Sequence, residues 1–215
     1  KTLLRNSLAF TLYRNMGNYA SRTAFTELYV NDEYQGVYIL LEKLKRDDNR
    51  INISKLNSDE NSGEDLTGGY ILIVDNASKN NSNKYFTSAY NPPNATNAQS
   101  INFVFEEPGY DELSTQQRNY ITTYVSEFED ALSSPNFTDP VNGYLKYTDV
   151  SSFIDFFLIN ELTNNVNAYR ANTYLIKDKN EKLAMGPIWD FNYAFGNANF
   201  CEGDKTNVWA YTFNT

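Results

Sequence analysis

The sequence predicts an α+β fold, and three observations lead to that prediction. Residues 1–110 contain short runs rich in aromatic and β-branched side chains, separated by Gly and Asn turn signals, which is typical of strands. In residues 111–215 the apolar side chains mostly recur every three or four positions, which is typical of helices. The two kinds of element are segregated along the chain, so we expect one domain of 215 residues with a β-rich lobe and a mainly helical lobe.

The first half is predicted to begin with a helix over residues 2–16, and Gly17 supplies the stop that glycine commonly provides after a helix. Strands at 24–30 and 37–41 flank a run of turn-forming residues, a pattern that predicts a β-hairpin. The continuous apolar run 70–74 is typical of a central strand, because both faces of such a strand are buried. Two further strands are expected, at 85–86 within an Asn- and Ser-rich excursion over 75–97 and at 101–105.

The second half begins with a capping box formed by Ser114 and Gln117, which predicts a helix that ends at Ser134-Pro135. Asp149 can cap a second helix. Residues 153–158 of that helix are so apolar that we expect it to be buried in the core. A last hairpin is predicted, with strands at 174–176 and 183–188 around a turn at 178–181.

The charge and the missing residue types exclude several kinds of chemistry. The net charge of −9 argues against nucleic acid as a partner, and no apolar run of about 18 residues predicts a transmembrane segment. The chain has no histidine and one cysteine, Cys201, which excludes Ser-His-Asp and Cys-His triads and zinc sites built on His or several Cys. Without a base partner, Cys201 is expected to be an idle thiol. The remaining chemistry must use carboxylates, amides, Lys and Arg, with hard cations such as Mg²⁺.

Polar residues on both sides of the last hairpin form the candidate site. Asp190 directly follows the second apolar strand, inside a group of aromatic residues, and four asparagines precede the hairpin. Two polar clusters joined by a hairpin can form a metal or phosphate site, in which Asp190 would bind Mg²⁺ and Asn172 or Asn167 would supply a second oxygen. The asparagines can equally be loop caps, so both interpretations stay open. The four are Asn164, Asn165, Asn167 and Asn172.

A basic cluster follows the first hairpin, where Glu42, Lys43, Lys45 and Arg46 are joined by Arg50. Such cations could hold phosphates, and a basic strand end beside an acidic metal site suits phosphoryl transfer, which needs positioning more than covalent catalysis. The alternative is a solvated strand end that keeps a sheet edge soluble.

Five stretches of the chain match the pattern of a known family: 3–6, 36–43, 68–71, 153–161 and 186–191. They resemble the CotH kinase-like family, which is named for spore coat protein H and related to atypical protein kinases. The resemblance covers nearly the whole chain and is strongest to a branch found in secreted or surface proteins of Bacteroidetes. Relative to the family domain, both ends of the chain look trimmed.

The resemblance implies a kinase-like fold that binds ATP and Mg²⁺ and transfers phosphate to protein hydroxyls. It makes Asp190 the metal-binding carboxylate and Asn172 the metal- or phosphate-side amide. The Lys and Glu that contact phosphate would lie among Glu42, Lys43 and Lys45. It also implies a secreted or cell-surface location, with a protein substrate or a component of a surface assembly as the partner.

Three positions depart from the family pattern. Relatives usually carry Asp, as the presumed catalytic base, where this chain has Asn167. An amide can orient a hydroxyl but cannot take its proton near neutral pH. Asn192 replaces the second Asp of a Trp-Asp-x-Asp motif, and Ile73 stands where many relatives have Lys. The chain is therefore expected to be either an atypical kinase or a pseudokinase that serves as a binding or scaffold module, a purely structural role in an extracellular assembly being the third alternative.

Overall fold

A computed structural model describes residues 3–75, 84–92 and 99–212. Three α-helices and seven strands lie in this part of the chain, connected by loops and short 3₁₀ turns. In chain order they are α1 (Arg5–Asn15), β1 (Thr23–Val30), β2 (Glu33–Leu41), β3 (Tyr70–Val74), β4 (Tyr85–Thr87), β5 (Asn102–Glu107), α2 (Thr115–Ser133), α3 (Val150–Thr163), β6 (Thr173–Lys177) and β7 (Ala184–Met185).

The strands form two antiparallel sheets. β1 and β2 pair as the predicted hairpin, around Asn31 and Asp32, both in the left-handed conformation that a tight hairpin turn requires. The other five strands form one sheet in the order β4-β5-β3-β6-β7. β3 lies between β5 and β6, which confirms the prediction that residues 70–74 form a central strand.

The larger sheet takes strands from both halves of the chain. β3 of the first half pairs with β6 of the second, from Val74 opposite Thr173 to Tyr70 opposite Lys177. The α+β class and the final hairpin are confirmed, but the separation into a β-rich lobe and a helical lobe is not. The predicted excursion over 75–97 falls partly outside the described residues; its predicted strand is β4.

Side-chain caps define the starts of α2 and α3, as the sequence predicts. The Ser114 hydroxyl accepts a hydrogen bond from the Gln117 amide at 3.1 Å, and the Gln117 side chain accepts one from the Ser114 amide at 3.0 Å. The Asp149 carboxylate accepts from the Ser151 amide at 3.1 Å. α1 begins at Arg5, three residues later than expected, and ends at Asn15. Gly17, two residues beyond its end, has the positive φ that was expected of the glycine stop.

The prediction that α3 is buried is wrong for one of its faces. Phe156 and Ile159 lie in the core, but Leu158 is 50% exposed and Leu162 is 72% exposed. α3 contacts β7 and α1, and a helix can bury only the sides that meet neighbours. Apolar content alone therefore overstated the burial of this helix.

Both faces of the larger sheet are covered. On one face, residues such as Leu72 and Leu175 pack against the helices in a continuous core. On the other, Ile71 and Tyr174 pack against a smaller cluster supplied by the loop segment after β2. Trp189 is partly buried and contacts both clusters, so the segment that carries Asp190 is anchored from two sides.

Candidate active site

Asp190 lies just beyond β7, in a short segment held by aromatic packing. Ile188 before it is fully buried, and the Trp189 ring stacks on Phe10 of α1 with centroids 6.1 Å apart. Phe191 meets the same Phe10 ring edge-on at 6.3 Å. Asp190 itself has φ of 56°, a left-handed conformation that costs a non-glycine residue about 1 kcal/mol or more. Packing on both sides maintains this conformation.

The hairpin brings Asn172 to Asp190, as the sequence predicts. Asn172, also left-handed with φ of 53°, donates a hydrogen bond from Nδ2 to Asp190 Oδ2 at 3.2 Å. The backbone amide of Asn192 donates to Asp190 Oδ1 at 3.4 Å, which is a longer and weaker hydrogen bond. Asn172 thus orients the carboxylate, and its role as a metal ligand stays a prediction.

The amino end of α1 holds the other side of the Asp190 segment, which sequence reasoning missed. Asn6 Oδ1 accepts from the Phe191 amide at 2.7 Å, and Asn6 Nδ2 donates to Asn192 Oδ1 at 3.0 Å. Arg5 Nε donates to the Asn192 carbonyl at 3.1 Å. The available signal was the stretch 3–6, which the family resemblance marked without assigning it a role.

Two of the four candidate asparagines are structural. Asn164 ends α3 in the left-handed conformation and donates to the carbonyls of Gly203 and Lys205, at 3.2 and 3.0 Å. Asn165 is buried, donates to Asn160 Oδ1 at 3.0 Å and accepts from the Asn167 amide at 3.3 Å. The capping interpretation holds for this pair.

Asn167 differs from these two residues. Its side chain is half-buried and makes no hydrogen bond within residues 3–75, 84–92 and 99–212, although its backbone amide is held by Asn165. An amide group without an internal partner can meet a substrate hydroxyl, but it has no basic oxygen with which to deprotonate it.

Most charges of the basic cluster are already paired with carboxylates. Glu42 accepts from the Arg22 amide at 2.9 Å and pairs with the guanidinium groups of Arg22 and Arg50. Hydrogen bonds from Arg22 hold the pKa of Glu42 below its ordinary value. Lys45 pairs with Asp47 at 3.3 Å, and both are partly solvent-exposed, where such a pair contributes little stability.

Lys43 has a different neighbour. It is exposed, and its positive charge acts on Glu106 of β5. Burial raises the pKa of the Glu106 carboxyl, and Lys43 opposes that rise. Lys43 therefore forms no ion pair with Glu42 or any other carboxylate within the described residues, and its charge acts on Glu106 at a distance.

A cleft of about 970 Å³ lies at the other end of the sheet from Asp190. It is lined by Gly69 and Glu107, next to the Tyr70–Lys177 end of the β3–β6 pair, whereas Asn172 and Asp190 adjoin the Val74–Thr173 end. Four strand residues separate the two ends by roughly 13 Å. Its lining carries four carboxylates against the two cations Arg46 and Lys55, and this net negative charge disfavours a polyphosphate.

Comparison with known families identifies the chain. The profile described as "CotH kinase protein" matches residues 1–214. The chain belongs to the CotH kinase family. A search of curated proteins found no match. The family assignment confirms a kinase-like domain, and no helix in the described part of this CotH domain is long and apolar enough to cross a membrane.

The donor set around Asp190 fits a Mg²⁺ ion that arrives with phosphates. Within the described residues of the CotH domain, no three His, Cys, Asp or Glu side chains converge to hold a metal alone. Mg²⁺ in nucleotide sites commonly takes one or two carboxylates and completes its shell with phosphate oxygens and water. One oriented carboxylate flanked by Asn172 and Asn192 matches that requirement.

Glu161 braces the loop of the CotH domain that carries Asn167. Its carboxylate accepts from the Tyr169 hydroxyl at 2.7 Å and from the amides of Ala210 and Tyr211 at 2.8 and 3.0 Å. Burial, with a further contribution from Glu161, raises the pKa of Tyr169 above its ordinary value. The family resemblance includes residues 153–161, but it did not predict that Glu161 holds this loop.

Replacing Glu161 should loosen the loop and lower stability. We expect Glu161→Ala to reduce the free energy of unfolding by about 2 kcal/mol, because hydrogen bonds to a charged acceptor are each worth about 1.5–3 kcal/mol and act here as a unit. Urea denaturation would measure the change. Glu127→Ala is the matched control, since Glu127 is exposed on α2, and should change stability by no more than about 0.5 kcal/mol. Equal losses in the two variants would contradict this role for Glu161.

Proposed function

We propose that this CotH kinase domain binds ATP together with Mg²⁺ at Asp190 and transfers phosphate to protein hydroxyls. The observation that carries the proposal is the Asp190 segment, in which one carboxylate is oriented by Asn172 and fixed from α1. A positioned carboxylate with few other titratable groups suits phosphoryl transfer, because that reaction depends mainly on positioning and charge stabilisation. In this proposal the Arg5 guanidinium, bonded to the Asn192 carbonyl beside Asp190, contributes to the phosphate environment.

Lys43 is the cation of the basic cluster that we assign to the phosphates of the proposed nucleotide site. The carboxylates of the basic cluster, Glu42 and Asp47, neutralise Arg22, Arg50 and Lys45, whereas Lys43 forms no ion pair in the described part of the chain. As part of the same proposal, the domain acts in a secreted or cell-surface setting on a protein substrate or assembly partner. The support for that setting is the family resemblance and the Asn-, Tyr- and Thr-rich composition.

The proposal predicts opposite effects of one substitution with and without metal. Without Mg²⁺, Asp190 repels the phosphates, so Asp190→Asn should bind ATP about 10-fold more tightly than the wild type. With Mg²⁺, the variant lacks the metal ligand and should bind about 10-fold more weakly. Isothermal titration calorimetry with ATP, in EDTA and in Mg²⁺, measures both affinities.

Asp59→Asn is the matched control, because Asp59 is exposed in the loop before β3 and makes no hydrogen bond in the described part of the chain. It should bind ATP like the wild type under both conditions. A wild-type domain that binds no ATP at millimolar concentration, or an Asp190→Asn variant indistinguishable from it, would refute the proposal.

A pseudokinase is the second candidate, and Asn167 favours it. The position that carries the presumed base in relatives holds an amide whose side chain has no internal hydrogen bond in residues 3–75, 84–92 and 99–212. Such a domain would keep nucleotide binding but lose most turnover, since general-base catalysis typically contributes about 10²–10⁴-fold. It would then act as a binding or scaffold module.

A further inference from the structure

Asp190 is presented by a segment whose backbone is held from a part of the chain more than 180 residues away. Asn6 is the closest brace: it accepts the Phe191 amide at 2.7 Å and donates to the Asn192 side chain at 3.0 Å, sequence separations of 185 and 186 residues. Both bonds hold residues that directly follow Asp190 in the chain, and neither involves the Asp190 carboxylate. The Phe10 ring, one helical turn further along α1, contacts the rings of Trp189 and Phe191.

The Asn6 bonds compensate for a strained backbone. Asp190 is left-handed, and the following amides would otherwise be free to relax toward the extended conformation that suits a non-glycine residue. By holding Phe191 N and Asn192 Oδ1, Asn6 keeps the turn closed. In this closed turn the Asn192 backbone amide donates to Asp190 Oδ1, and the Asn172 side-chain amide donates to Asp190 Oδ2.

We infer that Asn6 is a positioning residue for the Asp190 carboxylate, so that the first turn of α1 controls the strength of metal and nucleotide binding. The inference rests on the proposed function for its metal readout, but the brace itself can be tested without any ligand. Outer-shell groups that orient a metal ligand typically affect metal affinity about 10- to 100-fold.

The matched pair of variants is Asn6→Ala and Asn15→Ala, the same substitution at opposite ends of α1. Asn15 is exposed and its side chain makes no hydrogen bond in the described part of the chain. Both changes favour the helix equally by propensity, so a difference between them reports on the Asn6 bonds. Circular dichroism first establishes that both variants are folded at the working temperature.

Hydrogen–deuterium exchange tests the brace. The peptide that contains Phe191 should exchange faster in Asn6→Ala than in the wild type and be unchanged in Asn15→Ala. If Asn6→Ala does not fold, Asn6→Asp replaces it: its carboxylate keeps the acceptor for the Phe191 amide, so protection of that amide should persist. Unchanged exchange in Asn6→Ala, or loss of Phe191 protection in Asn6→Asp, would overturn the inference.

Calorimetry tests the link to the site. The ratio of ATP affinities with and without Mg²⁺ should fall about 10-fold in Asn6→Ala and stay at the wild-type value in Asn15→Ala. A residue that only supported the fold would lower the melting temperature and leave this ratio unchanged, and that result would overturn the positioning role. A wild-type domain without any Mg²⁺ effect would instead refute the proposed function, and faster exchange at Phe191 would then still show that Asn6 braces the segment.

Discussion

Asn167→Asp should raise phosphate transfer by about 10²–10⁴-fold over the wild-type domain. The substitution places a carboxylate, isosteric with the amide, at the position that we propose for the catalytic base. The Asn167 backbone amide is already fixed by Asn165, and its side chain has no internal hydrogen bond to lose in the described part of the chain. Transfer of labelled phosphate from ATP to a generic protein substrate, and to the domain itself, measures the gain.

Two further variants separate a restored base from other effects. Asn167→Ala removes the amide without adding a carboxylate and should show no gain. The double variant Asn167→Asp with Asp190→Asn should lose most of the gain, because the base acts only on a substrate beside the bound nucleotide. Equal activity in the wild type and Asn167→Asp would show that Asn167 does not occupy the base position.

Lys177 should contribute a rise of about 2 kcal/mol to the free energy of unfolding between pH 7 and pH 9.5. Lys177 is 2% exposed on β6, where its Nζ donates to the carbonyls of Thr67 and Asp178 and lies 5.0 Å from the centre of the Tyr124 ring. Burial lowers the pKa of Lys177 to about 8, from 10.5. Asp178 and Glu181 oppose this shift, but no carboxylate forms an ion pair with Lys177 among residues 3–75, 84–92 and 99–212, so desolvation prevails.

The direction follows from the proton balance. Between pH 8 and 10.5 the unfolded chain keeps a proton on Lys177 that the folded chain has released, so the folded state gains stability as pH rises through this window. The buried tyrosines oppose this rise as the pH approaches 10, because burial raises the pKa values of residues such as Tyr70 and Tyr124 in the folded state and the unfolded tyrosines ionise first.

Urea denaturation of the wild type and of Lys177→Met at pH 7, 8, 9 and 9.5 would measure this contribution as the difference between the two pH profiles. Lys177→Met has a side chain of similar length without the charge and should remove the pH dependence that Lys177 contributes. Lys55→Met, at an exposed lysine, is the matched control and should retain it. If the wild type and Lys177→Met show parallel pH profiles, the pKa of Lys177 is not lowered in the folded state.

Features that depend on local chemistry were predictable from the sequence. The capping box of Ser114 and Gln117 needs only residues three positions apart, and the β1–β2 turn needs only Asn31 and Asp32. The contact between Asn172 and Asp190 followed from the last hairpin, because a short hairpin brings its two flanks together. Membership of the CotH family was likewise visible in local motifs and is confirmed by the family match.

Features that depend on which distant segments meet were decided by the tertiary structure. Pairing of β3 with β6 places strands from both halves in one sheet, and the pairing of Glu42 with Arg22 and Arg50, rather than with the adjacent Lys43, follows from where β1 and the loop after β2 lie. The brace from Asn6 to the Asp190 segment spans nearly the whole chain. Many alternative pairings have similar local energies, and the choice among them depends on burial summed over the whole core. The sequence by itself therefore determined the elements and the residue types of the site, whereas the tertiary structure decided which residues orient Asp190 and which cations remain for a phosphate.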